Sequence, residues 1–278
     1  MAADRIVPGF DIVSKISEGL TTIIYHAIRV RDSAKVVLRV LKPELIEDKD
    51  EVKSIQRQAK ILSELNQPNI IKMNSFVENG ISPAIELEFF EGESIRSLLL
   101  RAIKIPFLMR LKIAKQLAAA VAYLHEKEIV HKEIRTENLL LSELYETRLV
   151  GFSSVLTLKD LKWQKFNPFK KKTQDINIRL APEEISGEAI GLFTDVYYCG
   201  STLYTLFTEK LPFQKALLQK TAPDLPIPPR RFCPELSEDL EKIILKMLEK
   251  NQKNRFPDMQ TGNAILSPAI DRDIYKDA

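Results

Sequence analysis

The pattern of apolar residues changes at Glu91-Gly92-Glu93, and this change restricts the fold more than any other feature of the chain. Before it, short runs rich in β-branched residues predict strands, at 12–16, 23–30, 35–41, 70–77 and 84–89. One helix is predicted there, over 50–65, where apolar residues recur every three or four positions. After it, helices are predicted at 94–101, 107–127, 194–208 and 237–249. Strands first and helices later predict an α+β protein with two lobes.

The length of 278 residues suits one large or two-lobed domain. We expect a single domain over 1–266, with a small lobe at about 10–89 and a large lobe at about 92–266. The polar and basic stretch 151–182 is predicted to be a long loop. The charged residues 267–278 are predicted to form a flexible tail.

Composition excludes several classes of function. A net charge of +3 is too small to indicate a nucleic-acid partner. No apolar run has the length of a transmembrane segment, and residues 1–10 lack the apolar stretch of a signal peptide. The two cysteines, Cys199 and Cys233, have no metal-ligand spacing and do not indicate an oxidising compartment. These features predict a cytoplasmic protein.

The segment 123–141 reads YLHEKEIVHKEIRTENLLL, and it resembles the catalytic loop of protein kinases, H-R-D-L-K-x-x-N after a Y-L-H helix end. Other motifs match in order at 67–70, 88–92, 180–184, 194–200, 211–213 and 255. Each match alone is weak, but their joint order from about 10 to about 260 is a strong indication. The resemblance implies a bilobal protein-kinase fold of the Ser/Thr type. That fold has a small, mostly antiparallel β lobe with one main helix, and a larger, mainly helical lobe.

Kinases transfer a phosphoryl group by positioning and charge neutralisation, so their charged residues carry catalysis. The family's glycine-rich loop, G-x-G-x-x-G, is reduced here to Gly19 within 17–22. The side chains of Ser17 and Thr22 restrict the approach of a phosphate to the backbone, and Glu18 adds a negative charge. The resemblance thus implies a weakened phosphate site.

The resemblance places Arg39 where the family has its third-strand lysine, and Gln58 where the family has the glutamate that pairs with it. Arginine and lysine are not interchangeable at such a site. An ion pair between the two positions is therefore lost. We expect Arg39 to hydrogen-bond the Gln58 amide oxygen as a structural contact.

In the catalytic loop, Glu133 replaces the catalytic aspartate, and Arg135 replaces the lysine that follows it. The extra methylene of Glu133 moves the carboxylate by roughly an ångström, which can cost about a hundredfold in rate. Gly151 replaces the metal-binding aspartate of the family's D-F-G motif. Asn138 is retained, but alone it is a poor magnesium ligand because hard cations favour carboxylates. We therefore expect no metal site.

The resemblance also identifies positions for a nucleotide. Adenine would lie between Ile24, Val37 and Leu140, and the hinge would contribute hydrogen bonds near Glu88 and Phe90. Gly19 and Arg39 complete this set. Val37 replaces the usual alanine and crowds the pocket, so ATP is expected to bind weakly if it binds, and no cofactor is required.

These departures predict a pseudokinase: a kinase-fold regulatory or scaffolding module with absent or very weak phosphotransfer. Two alternatives stay open. One is a residually active ATP-dependent Ser/Thr kinase with Glu133 as base, and the other is a metal-independent nucleotide sensor. Protein partners are expected at the small-lobe helix around Gln58 or at the basic loop 159–172, which includes Lys159 and Lys172. A solvated surface is the simpler interpretation of that loop.

Overall fold

The computed structural model describes residues 6–78, 80–163, 180–213 and 226–276. The chain divides into two compact units, Met1–Glu91 and Gly92–Ala278. Within the described residues, no helix is both long and apolar enough to cross a bilayer.

The first unit is a five-stranded antiparallel sheet with one α-helix. The strands are β1 (Phe10–Glu18), β2 (Thr22–Arg29), β3 (Ala34–Leu41), β4 (Met73–Val77) and β5 (Ala84–Glu88), and the helix is α1 (Lys49–Ser63). Their order in the sheet is β1-β2-β3-β5-β4. Every neighbouring pair is antiparallel, as β-branched runs joined by short turns predict.

The sheet of the first unit is covered on both faces. Alternate residues of β3, Val36, Leu38 and Val40, form one apolar cluster with residues of β2 and β5 and with Val7 from the chain before β1. Helix α1 contributes nothing to that cluster and packs against β3, β4 and β5. Asp48 caps the start of α1 by accepting from the N–H groups of Asp50 and Glu51.

The second unit is mainly helical. Its helices are α2 (Ile95–Leu100), α3 (Phe107–Glu126), α4 (Leu158–Trp163), α5 (Pro182–Ser186), α6 (Leu192–Thr208), α7 (Glu238–Met247) and α8 (Met259–Ile274). Its strands are β6 (Glu93–Ser94), β7 (Ile129–Val130), β8 (Leu139–Leu141), β9 (Thr147–Leu149) and β10 (Leu156–Thr157). The short strands form two small sheets, in the orders β6-β8-β9 and β10-β7.

Helix α6 lies at the centre of the second unit. Fourteen of its seventeen residues, from Thr194 to Thr208 except Ser201, are buried. It packs against α3, α7 and α8. A helix that is buried on nearly all sides gives a rigid support for the polypeptide that crosses it. The loop between β7 and β8, which carries the predicted catalytic residues, rests on this helix.

The structure corrects two sequence predictions. The flexible tail predicted from residue 267 is wrong as far as Ile274, because α8 continues through it and Ala269 and Ile270 are buried. The charges that suggested a tail are engaged: Lys115 Nζ lies 2.6 Å from a carboxylate oxygen of Asp271. The predicted loop 151–182 also contains β10 and α4.

Candidate functional site

The turn between β1 and β2, in the first unit, holds the only glycine of the predicted phosphate loop. The N–H of Gly19 donates to the carbonyl of Thr22 at 2.9 Å, so this amide is used within the turn. The carboxylate of Glu18 lies 2.8 Å from Lys42 Nζ and 2.9 Å from Lys15 Nζ. The turn is therefore tied to its own strands.

The two lysines keep Glu18 ionised. The hydrogen bond from Lys42, and then that from Lys15, lowers the pKa of Glu18 to about 2. At neutral pH this carboxylate is charged and paired with both ammonium groups, so it holds Lys15 and Lys42 at the turn.

One face of the sheet in the first unit brings three predicted nucleotide residues together. Ile24 of β2 is paired with Arg39 of β3, and Val37 lies two positions along the same strand, so the three side chains share a face. Arg39 is 6% exposed, and its Nε donates to Thr22 Oγ1 at 3.2 Å. The guanidinium thus contacts the residue that ends the β1–β2 turn.

Gln58 lies on the buried side of α1 and is 4% exposed. Its amide nitrogen lies 3.1 Å from the hydroxyl of Ser54, one helical turn earlier. The hydrogen bond between Arg39 and Gln58 stays a prediction. Because Gln58 is buried, a partner surface on this helix would have to use exposed neighbours such as Lys53 and Lys60.

The two predicted hinge residues, Glu88 and Phe90, lie on either side of Phe89 at the end of the first unit. Glu88 closes β5, and its N–H donates to the carbonyl of Lys72 at 2.9 Å. Its carboxylate accepts the N–H of Lys72 at 3.0 Å. Phe90 follows and is half-buried. These contacts fix the backbone that leads out of the sheet.

In the second unit, Asp195 of α6 organises the predicted catalytic loop. Its side chain is completely buried and accepts the N–H groups of His131, at 2.6 Å, and of Lys132, at 2.8 Å. The Nε2 of His125 lies 3.3 Å from the same carboxylate. A buried carboxylate must be hydrogen-bonded in this way, and these bonds fix the start of the loop on the central helix.

His131 also holds the catalytic loop in place, and its imidazole is neutral. Its Nδ1 accepts the N–H of Glu133 at 3.2 Å, which leaves Nε2–H to donate to the carbonyl of Val150 at 3.1 Å. Complete burial lowers the pKa of this histidine. Its ring packs edge-on against Phe152, with 4.5 Å between centroids. The imidazole joins the loop to the segment around Gly151 and has no free nitrogen for proton transfer.

The carboxylate of Glu133 is bound by three neighbours. The hydroxyl of Ser154 donates to it in a short hydrogen bond, and the hydroxyl of Ser153 lies 3.3 Å and 3.4 Å from its two oxygens. The amide nitrogen of Asn138 lies 3.5 Å from it and donates to the Glu133 carbonyl at 2.8 Å. The structure thus brings together Glu133 and Asn138, two of the predicted catalytic residues.

Gly151 has a conformation and surroundings that disfavour a side chain at this position. Its φ is +86°, in the left-handed region, and a Cβ built on it would lie 2.4 Å from Cγ and Nδ2 of Asn138. The side chain of Asn138 therefore fills the place where a side chain at 151 would begin.

The remaining predicted residues are held in the second unit as follows. Leu140 lies in β8, paired with Ser94 of β6 and Arg148 of β9. Arg135 precedes the 3₁₀ turn Thr136–Asn138 and lines a cavity beside α6. Of the predicted basic loop, Lys159 lies in α4, whereas residues from 164 to Lys172 lie outside the described residues.

Sequence reasoning missed the roles of Ser153 and Ser154. The available indication was two consecutive serines directly after Gly151-Phe152, where hydroxyls can reach a nearby carboxylate. It also missed the ion pair between Lys132 and Glu184, whose side chains approach to 3.4 Å. Lys132 and Glu184 are far apart in sequence, so no local pattern indicates their ion pair.

The motif from 180 to 184 is anchored by a buried ion pair. Arg255 donates in parallel to both carboxylate oxygens of Glu183, each at 2.9 Å, and both side chains are almost completely buried. The guanidinium also donates to the carbonyls of Glu249, Phe193 and Lys250. This pair joins α5 to the segment before α8, as a structural contact away from the loop.

Comparisons with known proteins agree with this arrangement. The protein kinase domain profile matches residues 10–264. Serine/threonine-protein kinase PrkC of Bacillus subtilis is 24% identical over 277 residues, which are 97% of this chain and 42% of that protein. A probable serine/threonine-protein kinase of Clostridium acetobutylicum is 26% identical over 92% of this chain and 39% of its own length. The chain thus spans about two fifths of the length of these relatives.

Among solved structures, the PknI kinase domain of Mycobacterium tuberculosis superposes with a TM-score of 0.71, covering 97% of this chain and 99% of that one. At 18% identity, this likeness concerns the fold alone. The fold is the bilobal kinase fold, with a five-stranded antiparallel sheet in the first unit and a mainly helical second unit. With the profile matching nearly the whole chain, this polypeptide belongs to the protein kinase domain family.

Proposed function

We propose that this chain is a pseudokinase, a kinase-fold module that regulates or scaffolds other proteins with absent or very weak phosphotransfer. The observation that carries the proposal is at Gly151, where the family resemblance implies a metal-binding carboxylate. The side chain of Asn138 fills the place of a Cβ at this position. Gly151 itself offers no side-chain ligand, and a carboxylate introduced there would have to displace the side chain of Asn138.

The environment of Glu133 also supports the proposal. Its carboxylate accepts from Ser154 and lies close to the hydroxyl of Ser153 and the amide of Asn138. A general base must accept a proton from the acceptor hydroxyl of a substrate, and here the carboxylate oxygens already bind these neighbours of the same chain. Glu133 is thereby better suited to holding the segment after Gly151 in place.

The first unit supports weak nucleotide binding. The N–H of Gly19 is used by the carbonyl of Thr22, and the charged carboxylate of Glu18 lies beside it. A phosphate site requires backbone N–H groups that point at the ligand, and the amide of Gly19 is already used within the turn. We therefore propose that no cofactor is required, that ATP binds weakly if at all, and that Mg²⁺ is not bound.

A phosphotransfer assay tests the proposal. The purified chain is incubated with γ-labelled ATP and Mg²⁺ or Mn²⁺, with a general acceptor protein such as myelin basic protein. The expected result is no more label than a Glu133→Ala variant incorporates, because neither the base nor the metal site is in place. Label incorporation by the native chain that is lost in Glu133→Ala would contradict the proposal.

A residually active Ser/Thr kinase is the second candidate. Glu133 and Asn138, the two ends of the predicted catalytic loop, lie adjacent, and the curated relatives named above are Ser/Thr kinases by description. This candidate requires the carboxylate of Glu133 to give up its hydrogen bonds with Ser153 and Ser154 and to accept one from a substrate hydroxyl. It predicts that Ser154→Ala, which releases an oxygen of Glu133, raises transfer, whereas the pseudokinase proposal predicts no transfer in either protein.

We also propose a cytoplasmic location and protein partners. Both cysteines are buried free thiols, and burial raises the pKa of Cys199, which suits a structural core residue in a reducing compartment. Partners would bind the exposed side of α1, opposite Gln58, or the basic stretch that begins at Lys159. Charge reversal at Lys170, Lys171 and Lys172 tests the second surface by loss of partner binding.

A further inference from the structure

Helix α1 of the first unit carries four cationic residues along one side. Lys49, Lys53 and Arg57 follow one another at intervals of four residues, and Lys60 comes three residues later, so the four side chains are neighbours on the helix surface. The three lysines are exposed, and Arg57 is half-buried. These four residues, which we call the α1 stripe, extend over roughly 16 Å along the helix axis.

The charges of the α1 stripe are not neutralised within 6–78, 80–163, 180–213 or 226–276. None of its four side chains has a hydrogen bond or an ion pair with a residue of these ranges. Glu78 approaches the helix directly after β4, but its carboxylate accepts from the amide of Gln56 at 3.3 Å. The carboxylate of Asp48 is used to cap the start of α1. Like charges four residues apart destabilise a helix, and an anionic partner would relieve that repulsion.

Arg57 gives a second, independent indication of an anionic partner. Its Nε is buried and has no hydrogen-bond acceptor among the residues that the structure describes. A buried donor without an acceptor is unfavourable, whereas an exposed lysine ammonium is hydrated by solvent. A carboxylate can accept from Nε–H and from an Nη–H together, because the planar guanidinium matches its two oxygens. The stripe therefore combines exposed positive charge with one donor that requires an acceptor.

Helix α1 is not suited to lie on an anionic membrane. A helix that binds a bilayer surface presents an apolar side to it. The apolar side of α1 is already used within the protein, where Ile55, Ala59 and Leu62 are buried. Among the described residues, no large apolar side chain from 47 to 78 is exposed. Lipid head groups would thus meet only the lysines and would leave the buried Nε of Arg57 without an acceptor.

We propose that the α1 stripe binds an acidic segment of a partner protein, with one carboxylate on the guanidinium of Arg57 and others on Lys53 and Lys60. Charge complementarity carries this choice of partner, because a line of cations without carboxylate partners fits a chain of aspartate and glutamate residues. The inference deepens the proposed function and rests on it, since it gives the pseudokinase a class of partner and a surface for it.

The test measures binding of the whole chain to a fluorescein-labelled peptide of Glu-Ala repeats by fluorescence anisotropy at low salt. A peptide of Gln-Ala repeats with the same length is the uncharged comparison. The glutamate peptide should bind at least about tenfold more tightly, and added salt should reduce the difference because it screens exposed charges. Reversal of both Lys53→Glu and Lys60→Glu should weaken binding at least about tenfold.

Substitutions of Arg57 test the specific part of the proposal. Arg57→Gln should weaken binding of the glutamate peptide about fivefold, because the carboxylate loses its charge-assisted hydrogen bonds. Arg57→Lys should not restore it fully, since an ammonium lacks the planar pair of N–H groups. Thermal unfolding of each variant shows that it is folded.

The matched control reverses two lysines of the second unit, Lys104→Glu and Lys112→Glu. Both are exposed, and neither has an ion pair in the part of the chain that the structure describes. This variant has the same net charge as the variant of Lys53 and Lys60, and it should bind the glutamate peptide within about twofold of the native chain.

Three results would overturn the inference. One is an equal loss of binding in the α1 variant and in the control, since net charge alone would then explain the binding. Another is native affinity in folded Arg57→Gln. The third is binding to phosphatidylserine vesicles without binding to the glutamate peptide. These measurements contain no ATP, so their failure leaves the pseudokinase proposal standing, whereas label transfer from ATP would contradict that proposal by itself.

Discussion

Asn138 and Gly151 share one space: a Cβ on Gly151 would lie 2.4 Å from Cγ of Asn138 and 2.7 Å from its Oδ1. The N–H of Val150, the residue before Gly151, donates to the Asn138 carbonyl at 2.8 Å, so the two backbones are also joined. The side chain of Asn138 can therefore take its present position because residue 151 has no side chain. We therefore expect that restoring a carboxylate at 151 does not by itself restore a metal site.

The first prediction concerns Gly151→Asp. We expect the free energy of unfolding to fall by about 1–3 kcal/mol, because φ is +86° and the new Cβ displaces Asn138. Phosphotransfer should stay absent. Urea unfolding followed by circular dichroism measures the first effect and label transfer the second. Gly151→Ala, which adds the Cβ without the charge, is the matched control and should lose similar stability. Transfer in Gly151→Asp would show that Asn138 moves aside.

The second prediction concerns Glu133 as a structural residue. Glu133→Ala removes the acceptor of the hydroxyls of Ser153 and Ser154, and should lower the free energy of unfolding by about 1.5–3 kcal/mol, the usual range for bonds to a charged group. Glu133→Gln, which keeps one acceptor oxygen, should lose less. Hydrogen exchange of residues 152–154 should rise in Glu133→Ala. Unchanged exchange would mean that the carboxylate does not hold this segment.

The third prediction concerns the pH dependence of the β1–β2 turn. The pKa of Glu18 is about 2 in the folded chain against an ordinary 4.5, because of Lys42 first and then Lys15. The stabilisation from a lowered carboxyl pKa is fully present above pH 4.5 and is lost as the pH falls towards 2. A carboxyl-carbon NMR titration measures this pKa directly. Lys42→Met and Lys15→Met should each raise this pKa towards 4.5, and a pKa that stays low in both variants would contradict the assigned causes.

The fourth prediction concerns the end of α8. Deleting 267–278 removes the buried Ala269 and Ile270 and the ion pair between Asp271 and Lys115. We expect the free energy of unfolding to fall by roughly 3 kcal/mol, mainly from the lost burial of Ile270. Deleting only 275–278 leaves α8 intact and should cost little. Equal stability of the two truncations would show that this end of the helix contributes nothing.

The order of the kinase motifs along the chain predicted the fold. The spacing of apolar residues predicted most of the helices and strands. Alternation in β3 and three- or four-residue spacing in α1 and α3 are strong patterns because each element buries one face. Helix α8 was not predicted, and its end was assigned to a flexible tail because Asp271, Arg272 and Asp273 suggest solvent. Their partners, Lys115 among them, lie far away in sequence.

The sequence identified which residues form the candidate site, but it did not predict which residues they contact. The motif spacing identified Glu133, Asn138 and Gly151, since each is fixed by alignment with the family. What Glu133 binds depends on where the chain turns after Gly151, and that turn requires a positive φ which no residue pattern alone reveals.

The central claim is that no metal-dependent nucleotide site is assembled, and thermal unfolding with nucleotide tests it most directly. The midpoint is measured without ligand, with millimolar ATP and Mg²⁺, and with ATP and a chelator. The account predicts no shift that depends on Mg²⁺, with at most a small shift common to both ATP samples, because the metal carboxylate is missing at Gly151. A ligand that binds the folded state raises the midpoint by mass action. A clear rise with ATP and Mg²⁺ that the chelator removes would contradict the account.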